Sequence, residues 1–226
     1  MTAANKIKGR RSILLIDDHP IMRDGISQLI LQQPDLEVCG EAGSAAEALK
    51  FLRKTTPDLA IVDISLKDIN GIELIKEIKA TLKSLPMLVL SMHEETLYAE
   101  RAIRAGARGY IMKHEPAEKL LQAIRRVLKG KLYLSAEMSE KLLDMLVGEK
   151  TDTPGPLTSR LSDRELEVFE LLGKGLKPGR IAEKLFLSVK TIETYLLRIK
   201  QKLNLKDSSE LLQAAIEWSR GPAGQG

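Results

Sequence analysis

The chain has 226 residues, of which 43% are hydrophobic and only 4% aromatic, and it carries a formal net charge of +4 with an isoelectric point of about 9.0. A single cysteine excludes an internal disulfide and suits a reducing compartment. No apolar run reaches the ~18 residues that a membrane helix needs, and no apolar signal core follows the first methionine, so we expect a cytoplasmic protein without a membrane partner.

Positive charge is concentrated at the two ends of the sequence. Residues 1–11 form a basic tail, and residues 157–226 have a small surplus of lysine and arginine, whereas residues 12–130 and 131–156 are slightly acidic. A modest local surplus permits nucleic-acid binding, but a solvated basic face is the simpler explanation until a motif is found.

Residues 12–130 alternate apolar runs with segments of helical periodicity. The apolar runs predict strands at 13–16, 36–40, 58–63, 87–90 and 109–112. Between and after them, helical spacing predicts five helices. Ser44 and Glu47 predict a capping box on the second helix, and Gly106 and Gly130 are expected to close the last two. Repeated strand–helix units indicate an α/β fold, a doubly wound five-stranded parallel sheet with helices on both faces.

Four of these strands end in a polar residue. Asp17 and Asp18 follow the first strand, Asp63 ends the third, Ser91 follows the fourth and Lys113 follows the fifth. Binding sites in such sheets form at the carboxyl ends of the strands, so we expect these side chains to converge.

The chemistry of this set favours phosphoryl transfer. Neighbouring carboxylates repel one another unless a cation is present, and oxygen ligands suit Mg²⁺. A metal ion and a lysine neutralise a phosphoryl group, and one carboxylate can serve as its nucleophile. Taken singly, each residue is more simply a turn former, a helix cap or a solvated side chain, and only the ordered set favours a site.

Residues 131–157 have the composition of a linker with a helix. Leu134–Glu137 resembles a helix start, and apolar residues continue at helical spacing to Leu146. Residues 148–156 are rich in turn formers, which predicts a domain boundary near 148–158. We expect this helix to pack against another part of the same chain rather than against a partner chain.

Residues 158–220 predict an all-α second domain. Ser162, with Glu165 in a capping box, starts one helix, Ser188 caps a longer basic helix that runs to Asn204, and Ser208 caps the last one. Two short helices joined by about three residues, the second of them longer and basic, are typical of a helix-turn-helix. Residues 221–226 are expected to be a disordered tail.

Candidate DNA-contacting side chains lie on the second helix of this pair. Polar residues near its N-terminus are placed to reach base edges, and basic residues further along can neutralise phosphates. They are Lys190, Thr191, Glu193, Thr194, Arg198, Lys200 and Lys202. On charge alone, a solvated amphipathic helix is the simpler explanation.

Motifs in residues 12–130 resemble the receiver domain of two-component response regulators. They are ILLIDDHP from Ile13, DLAIVDISL from Asp58, Asn70-Gly71, LVLSM from Leu88 and GYIMK from Gly109. The resemblance implies a flavodoxin-like receiver whose phosphoacceptor is Asp63, with a sensor histidine kinase as partner.

The same resemblance implies roles for the other residues of the set. Asp18, Asp63 and the backbone carbonyl of Ser65 would bind Mg²⁺, with Asp17 acting largely through water. Ser91 and Lys113 would contact the phosphoryl oxygens. Tyr110 would be an aromatic switch that rotates as Ser91 moves.

Motifs in residues 158–220 resemble the DNA-binding domain of NarL/FixJ regulators, which have a LuxR-type helix-turn-helix. They include LSDRELEVFELL from Leu161, KTIET from Lys190 and IKQKL from Ile199. Tyr195 stands where a histidine is common, and Lys177–Arg180 is a less usual opening, which affects individual contacts rather than the fold. The resemblance implies double-stranded DNA as partner and a homodimer when active; in the family the last helix often forms the dimer contact.

The resulting interpretation is a phosphorylation-controlled transcription regulator, able to dephosphorylate itself but not a turnover enzyme. An aspartyl-phosphate phosphatase is disfavoured because Ser65, not a carboxylate, stands two residues after Asp63. A DNA-binding protein with a degenerate receiver that serves only for docking is disfavoured by the complete acidic set, and a small ligand as signal is a minor variant. We interpret His19 as a helix-start residue, and His93 and His114 have no predicted role.

Overall fold

The computed structural model describes residues 9–147 and 157–220, which divide into two compact units between residues 146 and 147. Most of the predicted basic tail, the breaker-rich part of the linker and the predicted tail at 221–226 lie outside the described residues. Within the described ranges, none of the helices combines the length and apolar character that crossing a membrane requires.

The N-terminal unit alternates strands and helices, as predicted. Its elements are β1 (Arg11–Ile16), α1 (Pro20–Leu31), β2 (Leu36–Ala42), α2 (Ala45–Leu52), β3 (Leu59–Val62), α3 (Gly71–Thr81), β4 (Met87–Ser91), α4 (Glu95–Ala105), β5 (Gly109–Met112), α5 (Ala117–Leu128) and α6 (Ala136–Val147). The strands form one five-stranded parallel sheet in the order β2-β1-β3-β4-β5, which confirms the predicted α/β class.

The core of this unit lies on both faces of the sheet. Every residue of β3 and β4 is buried, because helices cover both faces of a parallel sheet and leave no solvated side. One cluster packs β1, β3 and β4 against α1 and α5 through side chains such as Ile13, Ile30 and Ile124. This packing fixes the carboxyl ends of the strands, where the predicted site residues lie.

A bulge in β2 places the single cysteine in a half-buried position. The pairing of β1 with β2 shifts register after Ile13, and Gly40 lies so close to the Phe51 ring that a Cβ there would come within 2.3 Å of it. The Cys39 thiol donates to the carbonyl of Ile13 at 3.4 Å, and burial raises its pKa to about 11.

Two sequence-based details of this unit are corrected. Ser44 does accept from the Glu47 amide at 3.2 Å, but the Glu47 carboxylate accepts from the amide of Gly43, not Ser44, so the reciprocal bond of a capping box is absent there. The third strand is also shorter than predicted, because Asp58 turns to bond with Ser12.

The C-terminal unit consists of helices. A short 3₁₀ turn (Leu157–Arg160) precedes α7 (Asp163–Gly173), α8 (Pro178–Lys184), α9 (Val189–Leu203) and α10 (Ser208–Arg220). The capping box of Ser162 with Glu165 and the cap by Ser188 are both confirmed. Ser208 as a cap is wrong, because the Asp207 carboxylate accepts from the amides of Ser209 and Glu210 at 2.8 and 2.9 Å.

Close contact between α7 and α10 closes the core of this unit. Gly173 lies so near the Ala215 carbonyl that a Cβ would come within 2.4 Å of it. The rings of Phe169 and Trp218 pack beside this contact with centroids 5.6 Å apart. α10 therefore contributes to the core of its own unit.

Candidate functional site

The carboxyl ends of the strands bring three carboxylates together. Oxygens of Asp17, Asp18 and Asp63 and a ring nitrogen of His19 all lie within 4.8 Å of one another. The three carboxylates are almost fully buried, whereas His19 is exposed. Residues that are far apart in sequence therefore converge as the order of strands predicts.

Lys113 joins the cluster from β5. Its ammonium lies 2.7 Å from Asp17 Oδ2 and 2.7 Å from Asp63 Oδ2, with only 3% of its side chain exposed. Its own amide donates to the Ser91 carbonyl at 2.7 Å, so the pairing of β4 with β5 continues one residue beyond β5 and fixes where the side chain starts. One cation thus faces two carboxylates, and the pocket keeps an excess of negative charge.

Burial and charge perturb the ionisation of this pair. Burial raises the pKa of Asp63 above its ordinary value, and the charge of Asp17 raises it further, against the attraction of Lys113. Burial alone would lower the pKa of Lys113, but its attraction to Asp63 and its hydrogen bonds with Asp17 outweigh burial and raise it. The lysine is therefore a fixed positive charge at neutral pH.

Two carboxylate oxygens of the cluster are buried without a hydrogen bond from any described residue. They are Asp18 Oδ1 and Asp63 Oδ1. Asp18 Oδ1 does have His19 Nδ1 at 2.7 Å, although the contact lacks hydrogen-bond geometry. An unsatisfied buried acceptor costs about 1–3 kcal/mol, which a hard cation bound by oxygens would offset. The donor set therefore fits a divalent metal ion.

Backbone packing positions the Asp63 carboxylate. Asn70 caps α3 by accepting from the Ile72 amide at 2.9 Å, and the Gly71 amide donates to the Ile64 carbonyl at 2.7 Å. A Cβ on Gly71 would lie 2.0 Å from the Asp63 carbonyl oxygen. The start of α3 can approach the end of β3 this closely only because residue 71 is glycine.

The predicted switch residues are linked through the backbone of His93. Ser91 is fully buried at the end of β4, and its hydroxyl accepts from the His93 amide at 3.1 Å. Tyr110 is 1% exposed, and its hydroxyl donates to the His93 carbonyl at 2.7 Å. The tyrosine ring is therefore held inside the protein by the loop that follows Ser91.

Two histidines without a predicted binding role lie at the site. The His93 ring nitrogen Nε2 lies 2.9 Å from the Ser65 hydroxyl, and its ring packs on Tyr98 with centroids 4.5 Å apart. His19 occupies the N-cap position of α1, as predicted, but its ring also reaches the carboxylates. Their positions beside Ser91 and Asp18 in sequence are the only sequence signal for either.

The exposed face of α9 carries most of the predicted DNA-contacting side chains. Ile192, Ile199 and Leu203 are buried on one side of the helix. The exposed members of the predicted set lie elsewhere on the helix surface: Lys190, Glu193, Thr194, Arg198 and Lys202. Thr191 and Lys200 are half-buried. The helix thus presents polar and basic groups to its surroundings from its first turn onward.

Three of these side chains already have partners in the protein. The Thr191 hydroxyl lies 2.8 Å from that of Ser188, and the Thr194 hydroxyl donates to the Lys190 carbonyl at 2.9 Å. The Lys202 ammonium lies 2.6 Å from the carboxylate of Glu165, which is almost fully buried.

The pairing with Lys202 affects the pKa of Glu165. Burial raises it, but the hydrogen bonds from Lys202 and Ser162 outweigh burial and lower it below its ordinary value. Lys202 therefore balances the buried charge of Glu165. The sequence pattern of α9 had indicated only a possible contact with DNA.

Comparison with known proteins assigns both units. Residues 13–125 match the family "response regulator receiver domain", and residues 159–215 match "bacterial regulatory proteins, luxR family". The oxygen regulatory protein NreC of Staphylococcus carnosus is 35% identical over 209 residues, 91% of this chain and 96% of NreC. The chain belongs to the LuxR-type response regulators.

Other relatives of this response regulator support the same assignment. The virulence factors putative positive transcription regulator BvgA of Bordetella pertussis is 34% identical over 203 residues, 90% of this chain and 95% of BvgA. Among solved structures, RcsB of Salmonella enterica serovar Typhimurium, bound to promoter rprA with the phosphomimetic BeF3⁻, has a TM-score of 0.59 at 28% identity. That match covers 92% of this chain and 98% of RcsB.

Proposed function

We propose that this protein is a transcription regulator whose DNA binding is controlled by phosphorylation of Asp63. One observation carries the proposal: a buried aspartate lies at the end of the central strand, paired with a buried lysine and next to two further carboxylates. A charge excess of this kind is expected where a metal ion and a phosphoryl group are bound together. The similarity to RcsB, solved with a promoter and a phosphomimetic, supports the same function.

The metal ion in this proposal is Mg²⁺. Asp18, Asp63 and the backbone carbonyl of Ser65 would bind it directly, and Asp17 largely through water. The two unsatisfied carboxylate oxygens support this choice, because Mg²⁺ prefers oxygen ligands. When bound, Mg²⁺ neutralises charge on the phosphoryl group during its transfer.

The nucleophile is a carboxylate oxygen of Asp63. It attacks the phosphorus of a phosphohistidine on the partner sensor kinase, a new oxygen–phosphorus bond forms, and the nitrogen–phosphorus bond breaks, which leaves the electron pair on the histidine nitrogen. Lys113 stays protonated and offsets the charge of the product. The Ser91 hydroxyl donates to a phosphoryl oxygen.

The switch follows from contacts that Ser91 and Tyr110 share. When Ser91 moves toward the phosphoryl group, the hydrogen bond between its hydroxyl and the His93 amide is strained. The His93 carbonyl in turn accepts the hydrogen bond from the Tyr110 hydroxyl. Phosphorylation then favours a state in which this loop and the tyrosine are rearranged, by shifting a pre-existing equilibrium.

The output is binding to double-stranded DNA by α8 and α9. Lys190, Thr191, Glu193 and Thr194 lie near the first turns of α9, where recognition helices meet base edges, and Arg198, Lys200 and Lys202 lie further along. Of these, Lys202 is the weakest candidate because of its pairing with Glu165. We further propose that the active form is a homodimer on two half-sites in the cytoplasm.

The protein is not a turnover enzyme in this proposal, although it releases its own phosphoryl group by hydrolysis. A phosphatase that uses an aspartyl phosphate needs an acid–base residue near the nucleophile. The side chain two residues after Asp63 is Ser65, and its hydroxyl is bonded to His93. The absence of a carboxylate at that position supports the regulator rather than the phosphatase.

The test is the intact mass of the full chain after incubation with acetyl phosphate and Mg²⁺, beside Asp63→Asn. We expect one added phosphoryl group on the wild type and none on the variant, and tighter or otherwise altered DNA binding only for the wild type. No adduct on the wild type, under conditions that label a known receiver, would refute phosphorylation as the switch. Repeated hydrolysis of small phosphomonoesters would favour the phosphatase.

A further inference from the structure

The backbone holds His19 at the mouth of the acidic pocket. Its amide donates to Asp17 Oδ1 at 2.8 Å, and Pro20 follows it as the first residue of α1. A residue before proline is restricted to extended conformations, and His19 has a φ of −92° and a ψ of 103°. The chain therefore starts α1 only after residue 19, and the imidazole stays beside the carboxylates.

The distances from His19 Nδ1 to the carboxylates are those of ligands that share one ion. Around an octahedral ion with bonds of about 2.1 Å, neighbouring ligands lie about 3.0 Å apart and opposite ligands about 4.2 Å apart. Nδ1 lies 2.7 Å from Asp18 Oδ1, 3.3 Å from Asp17 Oδ1 and 4.0 Å from Asp63 Oδ2. The first two distances match neighbouring ligands, and the third matches opposite ones.

A hydrogen bond does not explain the shortest of these contacts. The 2.7 Å contact lacks hydrogen-bond geometry, and Asp18 Oδ1 is buried without a hydrogen bond from any described residue. Asp63 Oδ1 is in the same condition, and both side chains are more than nine-tenths buried. Two unsatisfied oxygens beside a ring nitrogen favour a bound cation over a proton shared between ring and carboxylate.

A nitrogen ligand changes which ions the pocket prefers. Mg²⁺ is bound by oxygens, whereas imidazole suits later ions of the first transition series, for which the affinity of a given site generally rises from Mn²⁺ to Cu²⁺. The His19 side chain is 64% exposed. An ion that arrives from solvent therefore meets the imidazole before it meets the buried carboxylates.

We propose that the pocket also binds a divalent ion of the later first transition series, such as Co²⁺ or Ni²⁺, with His19 Nδ1 as nitrogen ligand and Asp18 as oxygen ligand. This inference rests on the proposed function, because it adds a second class of ion to the pocket assigned to Mg²⁺. His19 contributes nothing to the binding of Mg²⁺ itself. The two classes of ion compete for Asp63, and His19 determines how strongly the transition ion competes.

Calorimetric titration of the unmodified full chain with Mg²⁺ and, separately, with Ni²⁺ tests the proposal. The wild type is compared with His19→Ala and with His114→Ala, the matched control, since His114 is another exposed histidine among the three in the chain. We expect His19→Ala to weaken Ni²⁺ binding on the order of tenfold or more, because loss of a group that only orients a ligand already costs that much. Mg²⁺ affinity should be unchanged, and the control should match the wild type with both ions.

The titrations separate a ligand from a nearby charge. An imidazolium that merely pairs with the carboxylates repels every cation, so its removal would tighten Mg²⁺ and Ni²⁺ alike. Equal changes for the two ions, or unchanged Ni²⁺ affinity, overturn the proposal and leave Mg²⁺ binding and the phosphorylation of Asp63 intact. A wild type that binds neither ion overturns both this proposal and the metal site of the proposed function.

A spectroscopic measurement locates the nitrogen. Cu²⁺, the strongest-binding ion of the same series, serves as the probe, and imidazole coordination is detected as nitrogen modulation of its electron spin echo. The modulation should be present in the wild type and in His114→Ala, and absent in His19→Ala. Asp18→Ala should weaken Ni²⁺ and Mg²⁺ together, because both ions use its carboxylate. Modulation that persists in His19→Ala would place the ion elsewhere and overturn the proposal.

Discussion

Replacing Gly71 with alanine should damage the proposed phosphoacceptor site around Asp63, whereas the same change at Gly25 should not. A Cβ at position 71 would lie 2.0 Å from the Asp63 carbonyl oxygen and 2.8 Å from the Ile64 Cα, both of them backbone atoms. Real Cβ atoms keep at least 3.0 Å from such neighbours. The start of α3 and the end of β3 must therefore separate by about 1 Å, and overpacking of this kind costs about 1–3 kcal/mol.

Gly25 provides the matched control. It lies inside α1, and a Cβ there would have no neighbouring atom within 4 Å. Alanine in an exposed helix interior is more favourable than glycine by about 0.5–1 kcal/mol, so Gly25→Ala should stabilise the unit. The two identical substitutions should therefore differ in free energy of unfolding by about 1.5–4 kcal/mol, which corresponds to a difference on the order of 1 M in urea midpoint.

The assay is a urea titration of the full chain read by hydrogen exchange of peptides from β3 and α3. The only tryptophan, Trp218, lies in the C-terminal unit, so its fluorescence reports that unit separately. Gly71→Ala should also slow labelling by acetyl phosphate on the order of tenfold or more, because it displaces Asp63, the proposed nucleophile. Equal midpoints for the two variants, or wild-type labelling of Gly71→Ala, would refute the argument that glycine is needed for the approach.

Four further variants have expected outcomes. Asp68→Asn should lower stability at neutral pH by less than about 1 kcal/mol. Hydrogen bonds from two amides of α2 outweigh burial and lower the pKa of Asp68 below its ordinary 3.8. The contribution of Asp68 to the free energy of unfolding is therefore present at neutral pH and lost as the pH falls through the lowered pKa. A difference in free energy of unfolding between variant and wild type that stays constant down to acid pH would contradict this. Lys202→Met should destabilise the C-terminal unit by about 1–3 kcal/mol because Glu165 stays buried without its cation. Lys190→Ala should leave the tryptophan-detected midpoint unchanged, but it should reduce by about one unit the slope of log binding constant for DNA against log salt concentration. If Lys190→Ala and Lys202→Met lost equal stability, the argument that Lys202 alone of the two balances Glu165 would be refuted. Lys113→Met should lower the thermal midpoint in metal-free buffer, because two buried carboxylates lose their cation, and Mg²⁺ should restore part of it. A midpoint insensitive to Mg²⁺ would argue against the metal site.

The residues of the pocket were predictable because each one closes an apolar strand. Strand ends are visible in the sequence, and in a parallel sheet they share one edge, so the convergence of Asp17, Asp63 and Lys113 follows from order alone. The pairing of one ammonium with two carboxylates did not follow, because it depends on side-chain directions that spacing does not determine.

Contacts between residues that are far apart in the sequence account for most of what the sequence did not indicate. His93 bonds to Ser65, which lies 28 residues earlier, and Lys202 pairs with Glu165, 37 residues earlier. Periodicity describes neighbours along one helix or strand and contains no information on such pairs. A basic residue on a recognition helix therefore has the same pattern whether it faces DNA or an internal carboxylate.

Adjacent residues with similar propensities account for the error at α10. Asp and Ser are both strong N-caps, and Asp207 and Ser208 stand next to each other, so propensity does not choose between them. In the structure Asp207 accepts from two amides at once, which a carboxylate does more readily than a hydroxyl.

The environment of Cys39 makes the chain convenient for site-specific labelling. Burial raises the pKa of this thiol to about 11, so very little of it is ionised near neutral pH, and the thiolate is the form that reacts with maleimides. A cysteine introduced on an exposed helix surface would react far faster than Cys39. Fluorophores or spin labels can therefore be attached at one chosen position without first removing the native thiol.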